Sequence, residues 1–440
     1  MKIMRSTRWM LPAFASALGA SAAIASAAEP TAQELMERID ALQAQVEQFE
    51  SKRSGATTRP SPLQDVEADA TAEKSRDGDR GTIFLQAGEE KLTAGHDGKF
   101  YVRSEDGAFS FSPFLQFQFR NVTNWSDAAG GDDWENGFEM RRMKFGAEGH
   151  IFNENLEYKF VWATNRNGGD VFLEDAVGSY QINDEWKILG GQFKSPVHHE
   201  ELTSSTRQLA ADRSLVNEEL GGGVLDRVQG IALNFKTDPI NVVVALHDGA
   251  GSINTNFRDT PVNDTDYGAA GRIEWLAAGD WKPYGDFSAM GNKDGTLVFG
   301  AGADFTAQDD SNLITYTVDG QWENTAGTSL YGAILGLTES AQGVGDDTTD
   351  WGAIVQIGQM LDDHWEPFAR VGYLDPDDDT VDETFELTGG VNYYWYKHNA
   401  KFTADVTYFP DGAPGDSGLG IIDSGEEDQL VIRLQVQLVI

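Results

Sequence analysis

The chain closes on Leu430-Val431-Ile432-Arg433-Leu434-Gln435-Val436-Gln437-Leu438-Val439-Ile440. Leu430, Ile432, Leu434, Val436, Leu438 and Ile440 share one parity; Val431, Arg433, Gln435, Gln437 and Val439 share the other. A period of two puts the sets on opposite faces of a strand, one greasy and one largely polar. The alternation recurs upstream. Phe109, Phe111, Leu115, Phe117 and Phe119 alternate with Ser110, Ser112, Gln116, Gln118 and Arg120, and Leu156, Tyr158, Phe160 and Trp162 with Glu157, Lys159 and Val161. Sixteen such segments can be placed, near 109–120, 137–149, 155–164, 172–181, 185–193, 228–236, 240–248, 267–276, 298–306, 312–322, 327–338, 350–360, 365–373, 385–397, 399–409 and 428–440. An even number of strands of ~10 residues is what a barrel needs to cross a bilayer without an open edge. The expected fold is all-β: a sixteen-stranded antiparallel transmembrane β-barrel over 106–440, preceded by a short N-terminal coiled-coil helix.

The connections test this independently. Tight turns are expected at 151–154, 182–184, 237–239, 323–326, 361–364 and 397–398, and longer ones at 121–136, 194–227, 249–266, 339–349, 374–384 and 410–427. Alternating short and long connections mark a barrel with short periplasmic turns and long outer loops. The connection 277–297 breaks the alternation, which leaves either an elaborated turn or strands merged or missed there. A soluble β-sandwich would alternate as well. The membrane reading rests on the aromatic load of the greasy faces, Phe117, Phe119, Tyr158, Trp162, Tyr316, Trp322, Tyr331, Tyr393, Trp395 and Tyr408, many of them placed near strand ends to form interfacial girdles.

Composition narrows the classes further. The 33 Lys and Arg against 71 Asp and Glu repel a phosphate backbone, so a nucleic-acid partner is not expected. The absence of Cys removes disulfides, thiolate metal sites and thiol nucleophiles. The 48 Gly with 24 Phe, 12 Tyr and 11 Trp fit a large β-structure.

The N-terminus reads as an export signal over 1–27: Lys2, Arg5 and Arg8, an apolar stretch from Trp9 to Ile24, then Ala25-Ser26-Ala27. Loss of those three cations takes the formal charge from −38 to −41. No later stretch is apolar for the ~18 residues a helical span requires. Over 28–52, Leu35, Ile39, Leu42, Val46 and Phe49 form one seam of a short periplasmic coiled coil, with Thr31 and Glu34 as its capping box. So short a coil points to self-association; an amphipathic helix lying on another surface is the alternative. Residues 53–105, with Pro60 and Pro62, read as a polar linker.

Phe138-Glu139-Met140-Arg141-Arg142-Met143-Lys144-Phe145-Gly146-Ala147-Glu148-Gly149 and Gly190-Gly191-Gln192-Phe193-Lys194-Ser195-Pro196-Val197 carry a family resemblance. Glu200-Glu201-Leu202-Thr203-Ser204-Ser205 and Ala211-Asp212-Arg213-Ser214-Leu215 continue it. Over roughly 106–440 the chain resembles the phosphate-selective porin O and P family, which also has the order export signal, coil, neck and barrel. The resemblance implies a trimer of sixteen-stranded channels in the bacterial outer membrane, a loop folded into the pore, and basic residues along an anion path. Two departures stand out. The family closes on an aromatic residue where this chain has Ile440. Inward parity gives the expected pore-lining residues Arg120, Arg142, Lys144, Lys159, Lys236, Arg272, Arg370, Lys401 and Arg433, but also Glu148, Glu157, Glu274, Asp304, Asp319, Glu366, Glu386 and Asp405. Parity turns Arg141 outward unless a bulge intervenes.

The expected function is passive diffusion of small hydrophilic solutes, anions such as phosphate, through a loop-constricted barrel in contact with outer-membrane lipid. An outer-membrane lipid hydrolase and a soluble exported β-rich binding protein are the other readings. The loop 194–227 is the longest connection between expected strands, and Arg207, Leu209, Arg213 and Val216 give its middle a helical pattern. It is expected to supply the constriction through His198, His199, Glu200, Glu201, Arg207 and Arg213. His198-His199-Glu200-Glu201 lacks the His-Glu-x-x-His spacing of a metal helix. Asp375, Asp377, Asp379, Glu383 and Glu386 match several calcium-loop positions, but Thr380 stands where such a loop turns on Gly. No catalytic residue, cofactor or metal site is expected.

Overall fold

The computed structural model describes residues 83–87, 90–96, 98–128, 131–166, 168–256, 265–308, 311–341, 347–377, 383–413, 419 and 428–440. The expected export signal, the coiled coil and the first part of the expected linker lie outside the described residues.

Three short strands come first: β1 (Ile83–Ala87), β2 (Glu90–His96) and β3 (Phe100–Ser104). They correct the expected linker, whose last part is a β-meander joined to the next strand through Val102↔Phe111 and Arg103↔Ser110. Gly98 and Gly107 supply the positive φ its two turns require, at +96° and +72°. Each follows an Asp, the Asp-Gly hairpin signal that the polarity of the region masks.

Sixteen antiparallel strands then close a barrel. They are β4 (Ser110–Ala128), β5 (Gly131–His150), β6 (Leu156–Thr164), β7 (Val171–Gln181), β8 (Trp186–Lys194), β9 (Arg227–Lys236), β10 (Ile240–His247) and β11 (Thr265–Gly279). They continue with β12 (Thr296–Gln308), β13 (Ser311–Glu323), β14 (Thr328–Ala341), β15 (Thr348–Gln359), β16 (Trp365–Asp375), β17 (Thr384–Tyr396), β18 (Ala400–Phe409) and β19 (Gln429–Val439). Each pairs with its sequence neighbours, and β19 returns to β4 through Val436↔Phe119 and Leu430↔Trp125. Closure leaves the barrel without an edge, which is what lets a sheet sit in hydrocarbon. No helix among the described residues is long and apolar enough to cross a membrane; the strands do so.

The outer face is greasy and open. Val318 is 63% exposed and Leu246 62%, while neighbouring Thr317 and His247 point inward and are buried. That inversion is incompatible with a soluble sandwich, whose greasy face would be inside. Rings on neighbouring outward positions stack, as in Phe119 on Phe138 and Phe145 on Trp162.

Two connections differ from expectation. The outer loop expected over 121–136 is mostly strand, with Trp125 paired to Trp134 and the Asn136 amide bonded to Asn121 Oδ1 (3.0 Å) and Thr123 Oγ1 (2.6 Å). Cross-strand amide bonds hold this polar ribbon together where no apolar alternation announces it. The irregular connection 280–295 is an elaborated turn. It carries a 3-10 turn at Pro283–Gly285, and Tyr284 and Phe287 are buried inside the barrel.

The connection from β8 to β9 also folds inward. It holds two short helices, α1 (His199–Leu202) and α2 (Leu215–Leu220). Its Leu209, Leu215, Val216 and Leu220 pack with Phe287 against Tyr331, Leu335, Ile354 and Phe368 on the inner wall; Tyr331, expected on the greasy face, is thus turned inward, and its neighbour Leu330 faces out. The expected helix in the middle of this loop is absent, because the wall takes up the backbone groups a helix would use. Lys401 Nζ donates to Gln208 O (2.7 Å), Asn392 Nδ2 to Leu209 O (2.9 Å) and Ala211 N to Asp405 Oδ2 (2.7 Å).

Candidate functional site: the passage beside the inner loop

The inner loop is fastened to much of the wall. Arg272 Nη1 donates to Val197 O (2.7 Å), Gln321 Oε1 meets His199 Nε2 (2.8 Å), Arg370 Nη1 donates to Asp212 O (2.9 Å) and Gln437 Nε2 to Thr206 O (3.0 Å). These contacts come from β11, β13, β16 and β19, and β17 and β18 supply those given above. Gln118 on β4 adds a bond to Ser205 O (3.1 Å). Two wall glycines admit the loop: a Cβ at Gly302 would lie 2.7 Å from Val197 O, and one at Gly352 2.8 Å from Val216 Cγ1. On β5 the loop meets Arg141, and β5, β6 and β7 carry the next group of inward charges.

That wall is rich in cations. Arg142 faces inward as expected, and so does Arg141. The register steps from Gln118↔Arg142 to Phe119↔Met140, so β5 bulges at Arg141 and both guanidiniums point the same way. Arg141 Nε donates to Asp212 Oδ1 (2.7 Å), and Arg142 Nη1 lies 3.6 Å from the same atom. Arg120 also pairs with Asp212, and Arg433 Nη1 comes within 3.6 Å of it. Glu139 pairs with Arg120 and Asp405 with Arg433, so four guanidiniums meet three carboxylates. Burial works to raise the Asp212 carboxyl, but Arg120, Arg141, Arg433 and Arg142 hold it well below the usual range. Arg141 and Arg142 keep a water-facing edge, each side chain 11% exposed.

A second bulge lies two strands along, on β7, where Val161↔Asp175 steps to Trp162↔Leu173 and turns both Glu174 and Asp175 inward. Lys144 pairs with Glu174, Lys159 with Asp175 (2.9 Å), and Arg227 with both (3.2 and 3.1 Å). Lys159 remains the most open of these cations, with 48% of its side chain exposed.

The nine expected pore-lining cations therefore divide. Arg142 and Lys144 are largely buried with a small exposed edge, and Lys159 is half-exposed. Arg120, Arg272, Arg370, Lys401 and Arg433 are buried under the loop and hold it down. Lys236 is exposed and lies over the Trp281 ring at 5.0 Å. Arg272 holds Asp319 with two 2.8 Å bonds, and Arg370 holds Glu386 (2.6 Å), so much of the acidic half of the lumen is neutralised behind the loop. Glu148 pairs with Lys99, Glu157 with Lys187 and Glu274 with Arg272, while Glu366 accepts from the Tyr394 hydroxyl.

The six expected loop residues are mostly internal fasteners. Arg213 donates to the carbonyls of Glu200 (3.1 Å), Glu201 (3.2 Å) and Thr203 (3.1 Å), closing the end of α1, and pairs with Glu201 (3.1 Å). Glu200 accepts from Ser214 N (2.8 Å) and Oγ (2.7 Å). His199 stacks on Tyr284 at 3.9 Å. His198 is buried, and burial with Arg272 nearby lowers it to about 4. Arg207 is exposed and reaches Gly285 O (3.4 Å). His199, Glu200 and Glu201 thus serve separate partners, and no metal-holding group of three or more His, Asp or Glu occurs among the described residues. In the acidic connection after β16, Asp375 binds Trp351 Nε1 (2.9 Å), Asp379 lies outside the described residues, and Glu386 is turned inward onto Arg370. Ser195 Oγ and His247 Nε2 both approach Asp304 Oδ2 (3.4 and 2.8 Å). With the acid between them, this histidine cannot take the serine proton as a hydrolase requires.

Asp212, Arg141 and Glu174 were missed as site residues. The doubled Arg141-Arg142 was the available signal for the first bulge; Asp212 lies in a stretch that carries the family resemblance, but nothing there pairs it with these arginines.

The model of the phosphate-selective porin O and P family matches residues 116–329, a span that includes the bulged arginine pair and the whole inner loop. That segment, just under half of the chain, is similar to the phosphate-selective porin O and P family. The porin is also 22% identical over 329 residues to an uncharacterized protein of Aquifex aeolicus (strain VF5), covering 69% of this chain and 77% of that one. Among solved structures it is similar to the anion-selective porin from Comamonas acidovorans, with TM-score 0.54 and 13% identity over 76% of this chain and 100% of the other. It is also similar to Salmonella typhi OmpF in complex with daunomycin, with TM-score 0.52 and 12% identity over 75% of this chain and 98% of the other. At such identities the structures speak for the barrel alone. Family and closed barrel together make this chain an outer-membrane porin, with an inner loop pinned to one side of its lumen.

Proposed function

We propose that the porin conducts small anions such as phosphate in preference to cations. The observation that carries this is the bulge that turns Arg141 and Arg142 together onto the edge of the passage, with Lys144 and Lys159 following on the same wall. In a narrow passage local charge decides which ion passes, and charge beyond ~8–10 Å is screened. The acids of the outer connections therefore count for less than these cations. Guanidiniums in pairs also suit a planar or tetrahedral oxyanion better than a single ammonium does. Phosphate added to potassium chloride should reduce chloride current by occupying this site. A chloride current indifferent to phosphate would overturn the phosphate part of the proposal.

Three copies assembling side by side is part of the same reading. The seam Leu35, Ile39, Leu42, Val46 and Phe49 and the exposed aromatic rows of β4–β6 support it. Native mass spectrometry of the detergent-extracted porin should give the mass of three chains; a single-chain mass argues against it.

A further inference from the structure

A cavity of about 540 Å³ opens on the outside of the barrel, where β7, β8 and β9 meet the connection after β10. Five of its lining residues sit at outward register positions. Leu173 pairs with Trp162 and Ala176 with Phe160, both exposed on the greasy face. Ala176 in turn pairs with Gln192 and Gln192 with Gln229, and Asp248 N donates to Gln229 O (2.9 Å). Residues directly opposed across a sheet share a face. Toward the other end of these strands the same face turns apolar. Gly178 and Gly190 pair side by side there, between Tyr158 and the exposed Ile231. A Cβ at Gly178 would meet nothing within 4 Å, so the glycines leave a trough between larger neighbours. The cavity thus lies where the greasy belt gives way to the outer connections, with the trough leading from it over the belt.

The polar groups of the cavity are one-sided. Gln192 Nε2 is spent on the carbonyls of Leu173 and Glu174 (both 2.9 Å), and Asn254 Nδ2 on Leu173 O (2.9 Å). Gln229 Nε2 is spent on the carbonyls of Ser252 (2.5 Å) and Thr255 (2.8 Å), and the Thr255 hydroxyl on Ser252 O (2.8 Å). Facing carbonyls accept only the NH2 edge of an amide, which fixes these orientations. Acceptors are left over. Gln229 Oε1 and the exposed Asp248 carboxylate have no partner among the described residues, and neither Lys nor Arg lines the cavity.

We infer that this cavity binds the ammonium headgroup of a membrane amphiphile, with an acyl chain lying along the trough. An ammonium brings three donors and a positive charge to a site that offers acceptors and one carboxylate. The outer face of the barrel meets lipid, so the occupant is a lipid and not a pore solute. The inference is independent of the anion path, which lies on the other side of the wall.

The test is native mass spectrometry of the full-length porin, stripped of lipid in detergent and then offered an equimolar mixture of phosphatidylethanolamine, phosphatidylcholine and phosphatidylglycerol with identical chains. Phosphatidylcholine keeps the phosphate and the positive charge but has no N–H, so the first two lipids differ in donors. Wild type should retain phosphatidylethanolamine about tenfold over phosphatidylcholine, the order of one charge-assisted hydrogen bond. Asp248→Asn, nearly isosteric, should lose most of that preference. Ala176→Phe, which fills the cavity, should lose the bound phosphatidylethanolamine. Glu154→Gln, in the exposed turn between β5 and β6, should behave as wild type. Equal retention of the ethanolamine and choline lipids by wild type overturns the inference, as does a preference for phosphatidylglycerol or an Asp248→Asn porin that keeps the wild-type preference. Wild type that retains no lipid also overturns it, and leaves the cavity to a neighbouring copy of the chain. Stepwise insertion of each variant into planar bilayers confirms that it folded.

Discussion

Asp212 is the residue on which the inner architecture turns. It accepts from Arg120 and Arg141, with Arg142 and Arg433 beside it, and its side chain is fully buried. Removing one partner of a buried charge pair costs ~3–5 kcal/mol, because the other charges are left unpaired. Asp212→Asn should therefore loosen the loop, raising single-channel conductance and current noise while strengthening anion preference. Conductance and noise equal to wild type would show that Asp212 does not hold the loop. Glycine makes a matching point on the wall. Gly302→Ala places its Cβ against Val197 O and should displace the start of the loop, visible as altered conductance. A wild-type current from this variant would mean that the loop yields at no cost. Neither role is legible in the sequence, since a lone Asp or Gly carries no period and its partners lie far along the chain.

The elements were more legible than their ends. Period two located all sixteen barrel strands, because outward apolar and inward polar faces are imposed by the bilayer on every strand. It failed beyond the bilayer, where β4 and β5 continue as a polar ribbon to Ala128 and Gly131. It also missed the irregular course of residues 203–214, where wall side chains replace helical bonds. The inner loop and the connection 280–295 support each other through His199, Tyr284 and Phe287. Phe287 is 1% exposed, and replacing a buried Phe by Ala costs ~3–5 kcal/mol. Phe287→Ala should lower the urea midpoint of the detergent-solubilised porin and leave the loop noisier; an unshifted midpoint would deny this turn any supporting role. Deleting residues 198–220 should raise conductance more than either point change, since it removes the obstruction itself. Unchanged conductance would place the narrowest point elsewhere.

At the scale of the molecule, net charge and local charge oppose each other. A chain of formal charge −38 is expected to repel anions, and its acidic mouth should slow their entry most at low salt. Inside, the acids of β11, β13, β17 and β18 are spent on Arg272, Arg370 and Arg433, whereas the proposed anion path runs beside the cations of β5 and β6. Parity alone counted these inward charges as nearly balanced, because it reports which face a residue occupies and not which side of the inner loop it meets. The bulge at Arg141 corrects the count further, by adding a cation that parity had placed in the membrane. The most direct measurement is the reversal potential of wild type and of an Arg141→Gln/Arg142→Gln double variant in the same potassium chloride gradient. Wild type should reverse toward the chloride potential, and the variant should move toward the potassium potential. A double variant that reverses where wild type does would contradict the account, because ions would then be passing somewhere other than beside this pair.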